Sequence, residues 1–201
     1  MCPSTSLEEV GVWEQLDIPK DYYKKQNNFK ILDYRSFPQI EPNLENFRLK
    51  KGAILTDVLS SYLPAKSLGI FVSKKFKELL GQVNIHGVRF YKTSIELKTG
   101  EVSEGYHFMH LIDNCVELID FDHSVFVDFS EENKQVHLKD KDRVDLPDFV
   151  EPKKLVLFKR VDVLRSPYNV EILISEGLKN KMEEYGITGA YFERYMNYVY
   201  I

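Results

Sequence analysis

One stretch of this chain is used twice, 102 positions apart: residues 70–90 read IFVSKKFKELLGQVNIHGVRF and residues 172–192 read ILISEGLKNKMEEYGITGAYF. The two align without a gap. Ile70 meets Ile172, Ser73 meets Ser175 and Lys77 meets Lys179, and Ile85, Gly87 and Phe90 meet Ile187, Gly189 and Phe192. Between these identities the exchanges are mild, such as Val72 for Ile174 and Leu80 for Met182. A repeat constrains a fold more than a single motif does, because each copy must build the same element. Here each copy predicts a strand, a capped helix, a turn and a second strand.

The physical basis of that unit lies in its residue types. Ile-Phe-Val and Ile-Leu-Ile are short apolar runs suited to buried strands. Ser73 and Ser175 stand where a helix N-cap belongs, and a serine oxygen there accepts an otherwise unpaired backbone N–H. Phe76, Leu79, Leu80 and Val83 then recur at helical spacing in one copy, and Leu178, Met182 and Tyr185 in the other. Asn84 and Gly186 suit the left-handed conformation that ends a helix. In the Ile-x-Gly-x-x-Phe that follows, Gly87 and Gly189 allow a bulge or a close backbone approach at the entry to the second strand. Duplication of a unit would produce this pattern, and so would convergent capping chemistry.

At 201 residues the chain fits one domain, read as 1–201. Two related sub-units, about 70–92 and 172–194, are expected inside it, preceded by an aromatic-rich segment 1–45. With 43% hydrophobic residues it can bury a sizeable core, which argues against disorder. Lys and Arg are dispersed and the formal net charge is −4, so nothing suggests a nucleic-acid surface. The start, MCPSTSLEEVGVW, has no basic and apolar leader pattern, and no apolar run approaches the ~20 residues that span a bilayer. Cys2 and Cys115 are the two cysteines; one lies near an end and the other in an apolar stretch, which suits a reducing compartment. A cytoplasmic protein that contacts neither nucleic acid nor membrane is expected.

Along the chain, the alternation from Phe29 to Tyr34 suggests a strand, and the segment from Gly52 to Ser60 a short helix. Phe90 to Leu97 alternates as a strand, Thr99-Gly100 marks a turn, and Tyr106 to Ile112 returns as its hairpin partner. Val116 to Phe126 is read as a strand broken by acidic residues. Residues 128–152 are the most polar part and are read as a surface excursion. Leu155 to Phe158 is a further strand, and the aromatic end from Tyr191 packs back on the domain. The class is α+β: a mixed, mainly antiparallel sheet with a few short helices and the strand–helix–strand repeat.

No catalytic constellation stands out. His107-x-x-His110 has helical ligand spacing, but on a strand residues three apart point to opposite faces. No HExxH and no Cys pair suggests zinc, and no phosphate-binding glycine loop occurs. Neither a metal nor another cofactor is expected. Asp120 and Asp122 would share one face of a strand. Such a pair can serve acid–base or cation chemistry, or decorate a solvated face. With a nearby His they give the alternative reading, a metal-assisted hydrolase. Ser124 has no nucleophile-elbow setting.

Several landmarks together carry a resemblance. They are Leu68-Gly-Ile-Phe-Val-Ser-Lys-Lys-Phe with Ile85-x-Gly-Val-Arg-Phe-Tyr; the segment from Tyr106 to Ser124, ending Asp-Phe-Asp-His-Ser; and Ile174-Ser-Glu-Gly-Leu-Lys with Gly186-Ile-Thr-Gly-Ala-Tyr-Phe-Glu. From about Asn46 to Arg194 this order resembles immunity-protein family eleven of bacterial polymorphic toxin systems. The resemblance implies a protein without enzymatic activity that binds a cognate toxin and neutralises it by occlusion. An acidic contact surface would speed association with a basic toxin. The candidates for it are Asp113, Glu117, Asp120, Asp122, Glu131 and Glu132. Ser73, Gly87, Ser175 and Gly189 are expected to be structural.

Overall fold

The computed structural model describes residues 1–18, 24, 28–61, 68–112, 116–126, 152–166, 171–194 and 197–200. At its centre is a six-stranded sheet. Its strands are β2 (Leu16–Asp17), β3 (Leu44–Leu49), β4 (Val58–Leu59), β5 (Gly69–Ser73), β6 (Val88–Glu96) and β7 (Val102–Leu111). They lie in the order β2-β3-β6-β7-β5-β4, and only β3 and β6 run parallel. The β6–β7 hairpin turns where Thr99-Gly100 predicted it, Gly100 standing at φ +85°.

Three smaller pairings surround this sheet. β1 (Cys2–Pro3) pairs with β12 (Ala190–Tyr191), and β10 (Val163–Arg165) with β11 (Ile172–Ile174), both antiparallel. β9 (Pro152–Leu157) lies between β8 (Val125–Phe126) and a parallel β13 (Asn197–Tyr200). The helices among the described residues are short: α1 (Leu7–Val10), α2 (Lys74–Leu80) and α3 (Glu176–Glu184). The protein is therefore α+β with mainly antiparallel sheets. Among the described residues no helix is long and apolar enough to cross a membrane.

The alternation of side chains along β7 divides the interior. Tyr106 and Phe108 point to one side, where Phe29, Phe47 and Phe71 join them. The Phe71 centroid lies 4.7 Å from that of Phe47 and 5.1 Å from that of Phe108, while Phe29 meets Phe108 edge-on at 5.2 Å. Such ring pairs add about 0.5–1.5 kcal/mol each beyond area burial. Met109 and Leu111 point to the other side, against Phe76, Leu79 and Leu80 of α2 and Leu178 and Met182 of α3. A third cluster, Leu118, Ile119, Leu155, Leu157, Val161 and Leu164, lies under β9. β10 joins two of these cores, because consecutive strand residues face opposite ways: Val163 enters the helix-side core and Leu164 the third cluster.

Three local expectations are corrected. Phe29–Ile31 is a 3-10 turn, not a strand; Phe29 and Leu32, three residues apart, both enter the core, a spacing that fits a turn and not alternation. The segment from Gly52 to Ser60 forms a turn and the edge strand β4 in place of a helix. The predicted strand from Val116 to Phe126 is a 3-10 turn (Val116–Leu118), a bridge at Ile119, a tight turn and β8.

Candidate functional site

Both predicted caps form. Ser73 Oγ accepts the Phe76 N–H and Ser175 Oγ that of Leu178, each at 3.1 Å. Each hydroxyl also donates to a carboxylate, Ser73 to half-buried Asp57 Oδ1 at 2.5 Å and Ser175 to buried Asp162 Oδ1 at 2.6 Å. The Ser73 amide donates to the Asp57 carbonyl and the Ser175 amide to that of Asp162. Each aspartate thus fastens the strand that leads into the helix whose serine it engages.

The second oxygen of each carboxylate reaches the turn after the other helix. Asp57 Oδ2 accepts the Thr188 N–H at 3.1 Å and its hydroxyl at 3.2 Å, in the turn after α3. Asp162 Oδ2 accepts the Asn84 N–H at 3.0 Å, in the turn after α2. Backbone bonds run beside them, from Val58 N to Thr188 O and from Asp162 N to Asn84 O. Burial pushes the Asp162 carboxyl up, but hydrogen bonds from Ser175 and Asn84 and the charge of Arg160 prevail and hold it below the usual range. Gly87 stands at φ +63° and Gly189 at +79°. A Cβ on Gly189 would lie 2.2 Å from the Val58 carbonyl, so the crossing requires glycine there.

Sequence reasoning missed both aspartates, although a signal was present. Asp-Val-Leu occurs at 57–59 and again at 162–164. Its distance to the capping serine is 16 residues in the first unit and 13 in the second. An alignment without gaps passes over that difference.

The acidic candidates are dispersed in role. Asp113, Glu131 and Glu132 lie outside the described residues, as do Cys115 and all of 127–151. Glu117 is exposed on the Val116–Leu118 turn, with Oε1 4.0 Å from His86 Nε2. Asp122 is exposed at the tight turn. Asp120 is buried, with both oxygens engaged: Oδ1 accepts the Asp122 and His123 amides, and Oδ2 meets His123 Nδ1 at 2.7 Å. Burial pushes its carboxyl up, but the His123 side chain and the two amides lower it on balance. Because this segment turns, Asp120 and Asp122 do not share a strand face; Asp120 closes the turn and Asp122 projects from it.

His107 and His110 lie on β7 and point to opposite faces, as alternation requires. His110 is fully buried; its Nε2 meets the Asp33 carbonyl at 2.8 Å, and burial, with Arg165 and Arg89 nearby, lowers its pKa to about 4. Among the described residues no three His, Cys, Asp or Glu side chains gather around a point that could hold an ion. A hollow of about 110 Å³ opens beside Trp13, with Pro3, Leu59 and Ile70 in its mainly apolar wall. Among the described residues the arrangement consists of hydrogen-bonded turns with exposed side chains beside them.

Residues 8–197 match the model of the Immunity protein family (Imm11), a span that takes in most of the N-terminal segment as well. No curated protein matches the chain. The chain belongs to the Immunity protein family (Imm11).

Proposed function

We propose that this member of the immunity family binds the toxin of a polymorphic toxin system made by its own cell and neutralises it by covering the toxin's working surface. The family match across residues 8–197 carries this reading. The chain itself then needs no reactive group, and its work is done by shape and charge. A stable complex of this kind buries about 1,200–2,000 Å² and rests on a few anchoring residues. Glu117 and Asp122, both exposed, are the members of the acidic set that would steer a basic toxin; Asp120 holds the turn that carries Asp122.

A cell expressing the product of the adjacent toxin-like gene, with and without this protein, tests the proposal. Rescue of growth together with co-purification of a one-to-one complex is expected. Rescue without a complex would replace occlusion with enzymatic reversal of the damage. Absence of both would remove the reading.

A further inference from the structure

The segment 33–40 crosses the aromatic side of the main sheet as a strap. It is tied down at Asp33, whose carbonyl meets Nε2 of the buried His110, and at Phe37, whose ring stands edge-on to the same imidazole at 5.4 Å. Arg89, exposed on β6, closes the far end: its guanidinium lies 4.4 Å from the Phe37 centroid and donates to the Pro38 carbonyl at 3.5 Å. Arg35 lies over the Tyr34 ring in the same way, 5.1 Å from its centroid. Beside these two cations Tyr34 is 39% and Ile40 63% exposed.

We propose that this strap and Arg89 form the surface that receives the toxin, against a patch on the toxin that offers carboxylates around an apolar side chain. The proposal rests on the toxin-binding reading above. Arginine and tyrosine are enriched among the residues that carry binding energy at protein interfaces. A guanidinium stacked on a ring is already oriented, so pairing it with a carboxylate costs little further side-chain freedom. The anchor on His110 makes the strap a fixed platform. The surrounding negative charge opposes an extended polyanion such as a nucleic acid more than one or two carboxylates set directly against Arg35 and Arg89. The chain is acidic overall, with a formal net charge of −4, and Asp33 and Glu41 flank the strap. The exposed acids Glu117 and Asp122 would steer, while the strap would hold.

Calorimetric titration of the adjacent toxin-like gene product into wild type, Arg89→Glu, Ile40→Asp and Glu117→Lys tests this, with thermal unfolding as a check on each fold. Arg89→Glu and Ile40→Asp should each raise Kd by about 30-fold or more, as removal of an anchor does. Glu117→Lys should raise it by less than about threefold. Ile40 is far enough exposed that its variant tests the surface even where Arg89→Glu harms the fold. If wild type binds and both strap variants bind within about twofold of it, the strap is not the contact surface. Binding of a poly-dT oligonucleotide that is lost in Arg89→Glu would assign the strap to nucleic acid instead. A wild type that binds no toxin overturns the function reading, and the strap assignment with it.

Discussion

Asp162 shows how much one buried carboxylate can organise. It accepts from Ser175 and Asn84 and faces Arg160, so its charged form is the one the fold favours. Asp162→Asn keeps the shape and removes the charge, and should cost about 1.5–3 kcal/mol in urea unfolding at neutral pH. Because the folded carboxyl titrates below its unfolded value, that contribution is present above the usual carboxylate range and is lost as pH falls through the folded value. The gap between wild type and variant should therefore narrow in acid. His110 has the opposite chemistry with the same direction. Its pKa falls to about 4 in the folded chain, so between the unfolded value near 6.5 and pH 4 the unfolded state takes up the proton first. Stability should drop by on the order of 2 kcal/mol from about pH 7 to pH 5 through this group alone. In His110→Gln that part of the pH dependence should disappear, whatever the variant's stability at pH 7.

Elements were legible where local chemistry decides them, and illegible where a distant partner does. The Ser73 and Ser175 caps, the turn at Gly100 and the long β6–β7 hairpin could be read because each rests on neighbours in sequence. The edge strand β4 exists because β5 pairs with it and Thr188 tethers its start, and neither fact is written within residues 52–60. Asp120 misled for the same reason: alternation placed it on a strand face, whereas its bonds to the Asp122 and His123 amides make a turn. Of the candidate contacts, the exposure of Glu117 and Asp122 followed from their polarity, but the strap at 33–40 needed His110 and Arg89 to define it. Ser73→Ala and Ser175→Ala should each cost about 1–2 kcal/mol in thermal unfolding, a cap together with a carboxylate left short of a donor. Gly189→Ala should cost more than about 2 kcal/mol, since a left-handed backbone and contact with the Val58 carbonyl add. Gly100→Ala has an equally positive φ but open space around it, and should cost about 1 kcal/mol. Equal costs at the two glycines would show that the crossing at Gly189 is not tight.

For the molecule as a whole, the two carboxylates make the helices depend on each other. Asp57→Asn should lower hydrogen-exchange protection at Thr188 as well as at Phe76, and Asp162→Asn at Asn84 as well as at Leu178. Loss confined to the unit that carries the substitution would show that the crossing contacts carry no coupling. Unfolding followed by separate probes on β7 and α3 should coincide in a single transition. The crossing has one more consequence. Asp57 reaches the turn after α3 and Asp162 the turn after α2, a mutual exchange of contacts like that between two subunits. Here both sides belong to one polypeptide, so the encounter is intramolecular and its strength is set by the tether, not by mass action. Dilution that would dissolve a dimer leaves this pairing untouched, and the fold keeps its braced turns at however few copies a cell contains.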